Sequence, residues 1–234
     1  FSRRQRQMCI RDSDIITSIT RGKDLGLFKA DHHLHYRCEL SDPELLDTLE
    51  KYSDNKYIAL ASLMDHTPGQ RQWRNKEKML EFYGKGSNFT SHGAYDFDEK
   101  MLRLEETAKE AEKKNRPKVS TIWREKKIIM ASHDDTTEEH VNEASKNGIY
   151  ISEFPTTLEA VKQAKKLKMK TVLGAPNFIR NKSHSDNVSV NDLVDNNFDL
   201  VDIFSSDYVP LSLIQSVFKL LDKGVNLSES TKLV

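Results

Sequence analysis

The chain has 234 residues, of which 37% are hydrophobic and 31% charged, with 36 basic residues against 36 acidic ones. Zero formal net charge supplies no long-range basic field, so neither nucleic acid nor a membrane surface is expected as a partner. No apolar run approaches the roughly 18 residues of a membrane span, nothing has the layout of a secretory signal, and the two cysteines, Cys9 and Cys38, make no disulfide framework. A cytoplasmic protein is the expectation.

The first stretch, Phe1–Ser13 (FSRRQRQMCIRDS), holds four arginines without helical or strand periodicity. It reads like translated sequencing-adapter DNA, and such scars are kept out of fold reasoning. Four arginines and one aspartate leave with it, so the net charge falls from 0 to −3. Strand and helix signals then alternate. Leu27–Tyr36 is strand-like, and its alternation continues to Glu39. Ser41 and Glu44 form a capping box ahead of the stripe Leu45, Leu46, Leu49 and Tyr52. Tyr57–Met64 is a second strand. A helix is expected over 71–83, a loop over 84–95, a long helix from Phe97 towards Asn115, and a new helical segment from Pro117. Ile128–His133 is the third strand. Thr136 and Glu139 cap the next helix, which Gly148 ends. Ile149–Glu153 is the fourth strand, followed by a capping box at Thr156 and Glu159. Thr171–Gly174 and Leu200–Ser205 are strands five and six. A last helix runs from near Pro210 to Gly224, and no element is expected after it.

Apolar strands joined by helices imply a parallel sheet covered by helices. That leaves an open doubly wound sheet or a closed eight-stranded barrel. No G-x-G-x-x-G turn follows a strand, and no internal repeat is evident.

Polar residues gather where the strands end: Asp31-His32-His33-Leu34-His35 with Arg37-Cys38-Glu39, then Asp65-His66, His133-Asp134-Asp135, Glu153, Gly174–Asn177, and Ser205-Ser206-Asp207. In a parallel α/β protein these ends share one face, and on a barrel that face carries the active site. Imidazoles and carboxylates converging there suit a divalent cation. Each has a simpler reading alone. A single strand-end histidine is more often a loop residue or a cap, and Asp134, Asp135 and Asp207 would each favour a helix N-terminus. Their coincidence at successive strand ends favours an ion-binding mouth. In the first strand, Asp31, His33, His35, Arg37 and Glu39 share a face, and a wholly polar face needs water or ions opposite it. The segment Asn177–Asn187 (NFIRNKSHSDN) is either an exposed polar loop or a phosphate grip. No G-x-S-x-G elbow supports a nucleophilic serine.

Six segments occur in order: Asp31–Glu39 (DHHLHYRCE), Ser62–Gln70 (SLMDHTPGQ), Ala131–Asp135 (ASHDD), Glu153–Thr157 (EFPTT), Gly174–Asn177 with Ser183–Asn187, and Ser205–Tyr208 (SSDY). Together they resemble the triphosphate diphosphatases of the carbon–phosphorus lyase pathway, in the amidohydrolase superfamily. The resemblance runs from near Lys29 to Leu221 and implies an α/β fold: a partial (β/α)8 TIM barrel of the metal-dependent hydrolase type, with about six of eight strands present in residues 14–234. It implies hydrolysis of a ribose 1-methylphosphonate 5-triphosphate to the 5-phosphate and pyrophosphate. Water would be activated by two divalent metal ions, zinc or manganese. On this resemblance Glu39 is the carboxylate bridging the metals, His66 and His133 are ligands, and Asp207 is a ligand and the general base. His33 and His35 are further ligands or phosphate contacts. Arg37, Gln70, Arg71, Asn177, Arg180, Ser183 and His184 contact the substrate, a small phosphorylated ribose phosphonate. A homo-oligomer is left open. The superfamily's first-strand His-x-His or His-x-Asp pair is not found before Leu27, so these six strands alone are expected to be inactive. A related cyclic amidase or deaminase, or an inactive barrel fragment that binds a partner, are the other readings.

Overall fold

Six strands build the sheet of this computed structural model: β1 (Leu34–Glu39), β2 (Ile58–Met64), β3 (Ile129–His133), β4 (Ile151–Glu153), β5 (Lys170–Gly174) and β6 (Ile203–Ser205). The structure describes residues 3–67, 69, 71, 94–181 and 187–234, with side chains for those from 14 to 71 and from 105 onward. Every neighbouring pair is parallel, and spatial order follows chain order from β1 to β6. A doubly wound sheet reverses its strand order at a switch point. No reversal occurs among the described strands, which sets that alternative aside. Right-handed crossovers wound in one direction put the connecting helices on one face of the sheet.

The described helices are α1 (Arg3–Asp24), α2 (Leu45–Tyr52), α3 (Ala94–Glu125), α4 (Glu138–Lys146), α5 (Leu158–Lys166), α6 (Ala175–Arg180), α7 (Val190–Asn196), α8 (Ser212–Asp222) and α9 (Leu227–Lys232), of which α2 to α7 connect the strands. None of the described helices is long and apolar enough to cross a membrane. The strand alternation explains how the two faces differ. In β1, Tyr36 and Cys38 turn into a buried cluster with Leu49, Leu63, Val119 and Trp123. Their neighbours His35, Arg37 and Glu39 take the other face. A second cluster joins Val161, Leu173, Phe178, Leu193, Phe204 and Leu220, with the Phe178 and Phe204 rings stacked 5.2 Å apart.

Several boundaries differ from the sequence reading for local reasons. The first strand starts at Leu34, whose amide donates to the Tyr57 carbonyl. The polar run before it has nothing apolar to bury and stays outside the ladder. There Asp31 pairs with Lys23 and with His33. The Ser41–Glu44 box does not form: Glu44 makes no side-chain cap, and Ser41 instead donates to Glu39. Pro117 lies inside one long helix, α3, rather than starting a new one. The arginine-rich stretch from Arg3 is helical. The expected helix over 71–83 and loop over 84–95 fall almost wholly outside the described residues. After Gly224 the chain forms α9, capped by Asn226 accepting from the Glu229 amide, and the Leu233 carbonyl accepts from the Phe204 amide in β6.

The βα turns after β3 and β4 repeat each other with a 20-residue offset, which the sequence reading did not register. Asp134 (φ +54°) and Phe154 (φ +53°) directly follow the two strands in left-handed backbone. Thr137 and Thr157 then cap α4 and α5, one residue later than expected, because Thr136 and Thr156 hydrogen-bond each other across the turns at 2.8 Å. Gly148 (φ +76°) and Lys168 (φ +58°) close the two helices.

Two outcomes follow. Replacing Thr157 by alanine removes the acceptor for the Ala160 amide and the donor to the Thr136 carbonyl. Urea unfolding should show a loss of about 1 kcal/mol; an unchanged midpoint contradicts the cap. Cys38 is fully buried, and burial, only partly offset by the Trp123 indole N–H donating to its sulfur, pushes its thiol up to about 12. At pH 8 the folded chain should therefore resist iodoacetamide at Cys38, with peptide mapping showing alkylation only in urea.

Candidate metal centre

Two histidines at neighbouring strand ends are each held through the same ring nitrogen. His66, just past β2, has Nδ1 2.5 Å from Glu39 Oε2 at the end of β1. Its backbone amide donates to the other Glu39 oxygen at 3.0 Å, where the Ser41 hydroxyl also donates. His133, the last residue of β3, has Nδ1 2.8 Å from Glu153 Oε2 at the end of β4. With both Nδ1 atoms engaged, the Nε2 atoms are left to face the space between the strands. The ring centroids lie 5.6 Å apart.

Asp134 completes the group. Its Oδ2 lies 3.7 Å from His66 Nε2 and 3.7 Å from His133 Nε2, and one ligand atom from each of the three residues lies within 4.8 Å of the other two. Asp134 is 3% exposed, yet this oxygen accepts no hydrogen bond. A buried carboxylate oxygen without a donor is costly, and native structures supply a partner or an ion. Ligand atoms about 2.0–2.2 Å from a shared tetrahedral ion lie about 3.3–3.6 Å apart, close to the two 3.7 Å separations here. The left-handed backbone at Asp134, worth about 1–3 kcal/mol of strain in a non-glycine residue, aims the side chain back at the histidines. The residues therefore fit a divalent cation: two imidazoles, one carboxylate and room for further ligands.

The electrostatics agree with the geometry. Burial raises the Glu39 carboxyl, but the His66 hydrogen bond and charge, with Ser41, outweigh it and hold the group down at about 2. Burial opposes ionisation of Glu153 as well, and His133, His35 and Ser62 bring it down to about 2. His66 is raised: burial lowers it, and Glu39 and then Asp134 more than compensate. Asp134 is raised, chiefly by burial against the pull of His133 and His66.

A buried anchor lies beneath this group. Asp135 is wholly inaccessible and accepts from the Ser132 hydroxyl, from Ser152 at 2.7 Å and from Arg71 at 3.1 Å. Arg71 also donates to the His133 carbonyl at 2.9 Å and is 6% exposed. The structure thus commits Arg71 to Asp135 rather than to the open face.

The remaining sequence-derived residues divide by position. His33 precedes β1, at the end opposite Glu39, and pairs with Asp31 at 3.0 Å; about 20 Å of extended strand separates it from the cluster. His35 lies within β1 and hydrogen-bonds Ser62. Arg37, on the same face as Glu39, donates to the Met64 sulfur at 3.2 Å. Asp207 (φ +45°) follows β6; its carboxyl is raised mainly by burial, against lowering by Arg37 and His133. It is not one of the three clustered ligands. Asn177 and Arg180 belong to α6, with Arg180 donating to the Tyr208 hydroxyl at 2.9 Å. Gln70, Ser183 and His184 lie outside the described residues. The sequence reading counted Asp134 and Glu153 among the strand-end residues suited to a cation but assigned neither a specific role, and offered a helix N-terminus as the simpler reading of Asp134. The available signal was the run of polar residues in ASHDD, since a left-handed turn brings the second residue of His-Asp back beside the first.

No protein-family profile matches the chain, and no solved structure does. Among curated proteins, the chain is 40% identical over 223 residues to alpha-D-ribose 1-methylphosphonate 5-triphosphate diphosphatase of Escherichia coli (strain K12). The aligned region covers 94% of this chain and 58% of that protein. The chain thus spans little more than half the length of the curated relative it matches. The strand-end residues and this alignment agree in the same likeness: over nearly its whole length the chain is similar to part of an alpha-D-ribose 1-methylphosphonate 5-triphosphate diphosphatase.

Proposed function

We propose that the protein of which these residues form the metal-binding part of a (β/α)8 barrel hydrolyses alpha-D-ribose 1-methylphosphonate 5-triphosphate to the 5-phosphate and pyrophosphate. The observation that carries this reading is the 40% identity maintained across 94% of the chain to a protein of that name. The metal-dependent part is supported by His66, His133 and the unpartnered oxygen of Asp134, which would hold one divalent ion. When bound, such an ion, zinc or manganese, would acidify water and offset negative charge on phosphoryl oxygens. The resemblance implies a second ion, with Glu39 bridging the pair and Asp207 as a further ligand; both Glu39 oxygens are engaged here by His66 and Ser41, so Glu39 is read as the partner that orients His66, and Asp207 as the carboxylate open to a second ion.

The chain's own residues then have separate tasks. Glu39 and Glu153 keep the two imidazoles oriented through Nδ1. Asp207, whose carboxyl burial lifts above its ordinary range, is placed to take a proton from the attacking water. Arg37 lies on the same face and supplies positive charge for an anionic substrate. Asn177, Arg180, Gln70, Ser183 and His184 complete the phosphate contacts in this reading. Arg71 supports the His133–Asp135 turn from below. A cytoplasmic location and a homo-oligomer belong to the same proposal.

The test uses a protein carrying the relative's full length. With manganese or zinc and the ribose triphosphate, pyrophosphate release is expected; ammonia release from a cyclic or aminated substrate would point to a deaminase instead. Asp207→Asn should lower kcat at least about 100-fold, the scale of a lost general base, and full retention contradicts that role. Ion binding can be read on the chain itself. Zinc at a hundred times its Kd should stabilise it by about 2.7 kcal/mol, and chelation should reverse this. Asp134→Asn should abolish that gain while leaving the metal-free chain at least as stable, because a buried unpaired charge has been removed. A metal-free variant of lower stability would mean that Asp134 serves the fold and not an ion.

A further inference from the structure

A line of side chains crosses four strands beneath the ion-binding group. His35 in β1 hydrogen-bonds the Ser62 hydroxyl in β2. Ser62 donates to Glu153 Oε2 in β4 at 2.7 Å. The same oxygen accepts from His133 Nδ1 in β3 at 2.8 Å. Ser62 is fully buried and Glu153 is 7% exposed, so neither reaches solvent for an alternative partner. Parallel pairing fixes the spacing, since His133 and Glu153 are direct partners in the β3–β4 register. Apolar residues would cover the sheet at lower cost. A buried carboxylate that spends one oxygen on a serine and a histidine is better explained by what it does to the histidine.

We infer that Glu153 is a positioning residue for the metal centre: held by Ser62, it accepts a hydrogen bond from the protonated Nδ1 of His133 and so leaves Nε2, with its lone pair, as the ligand atom aimed at the space beside Asp134. The inference rests on the metal-centre reading above and adds a residue that contacts neither ion nor substrate. A carboxylate on the far nitrogen also makes the imidazole a stronger donor. Glu39 stands in the same relation to His66, so the two histidines are presented in matching fashion. The Phe154 ring packs perpendicular to the His133 imidazole, with centroids 5.4 Å apart.

The experiment titrates the chain with cobalt(II), whose visible absorption reports the ligand set, for the unaltered protein, Glu153→Gln, Ser62→Ala and Thr157→Ala. Glu153→Gln should bind cobalt about 10–100-fold more weakly with a changed spectrum. Ser62→Ala should shift both in the same direction by less, and Thr157→Ala should lose stability without changing either. Unaltered affinity and spectrum in Glu153→Gln overturn the inference. Where Glu153→Gln does not fold, Ser62→Ala decides: weaker binding supports the inference and unchanged binding overturns it. Absence of cobalt binding by the unaltered chain overturns the metal-centre reading and this inference with it, an outcome distinct from normal binding that Glu153→Gln leaves intact.

Discussion

The rest of the site depends on burying the carboxylate of Asp135. A charge that is wholly inaccessible must be paired and hydrogen-bonded, or it destabilises the fold by several kcal/mol, about 3–5 when one partner of a buried pair is lost. Asp135 draws its donors from Ser132 in β3, Ser152 in β4 and Arg71 after β2, so one side chain gathers three successive strand ends. Arg71 then ties the His133 carbonyl to the same point. With the residues on both sides fixed, the chain passes through Asp134 in left-handed backbone. That strained turn sets Asp134 against the two histidines rather than out into solvent. The strain is the observation and the ion-binding role the inference drawn from it.

Above this anchor, orientation is set by proton bookkeeping on imidazoles. A neutral histidine has one donor and one acceptor nitrogen, and the partner of one determines the use of the other. Glu39 and Glu153 each claim an Nδ1, and both remain ionised well below neutral pH because the histidines more than offset the cost of burial. His66, His133 and the unpartnered Asp134 oxygen are therefore preset as a group that could hold an ion. The same strands supply the core on their other face, where Tyr36 and Cys38 meet Trp123. Period-two alternation thus separates the packing that stabilises the sheet from the chemistry that the sheet carries.

Much of this was legible in the sequence, and the reasons differ by residue. Buried strands of a parallel sheet are continuous apolar runs, so β2 and β3 were placed within one residue. His66, His133 and Glu39 stood out because polar residues ending such runs need a purpose. Three features were not legible. The start of β1 was set by what the Asp31–His33 run could pair with, which alternation does not encode, so His33 stands ahead of the strand beside Asp31 rather than with the clustered histidines. The caps fell on Thr137 and Thr157 because Thr136 and Thr156 contact each other, a tertiary fact that the Thr-Thr pairs conceal. Asp134 and Asp135 look alike in ASHDD, and only the left-handed turn sends one to the ion-binding group and the other to Arg71.

His66, His133 and Asp134 are arranged to converge on a divalent ion. Anomalous diffraction from a crystal grown with zinc locates that ion. A peak is expected about 2.0–2.2 Å from His66 Nε2, His133 Nε2 and Asp134 Oδ2, with Glu39 and Glu153 still on the opposite ring nitrogens. A peak bound elsewhere, or an Asp134 carboxylate satisfied by protein donors alone, would contradict this convergence.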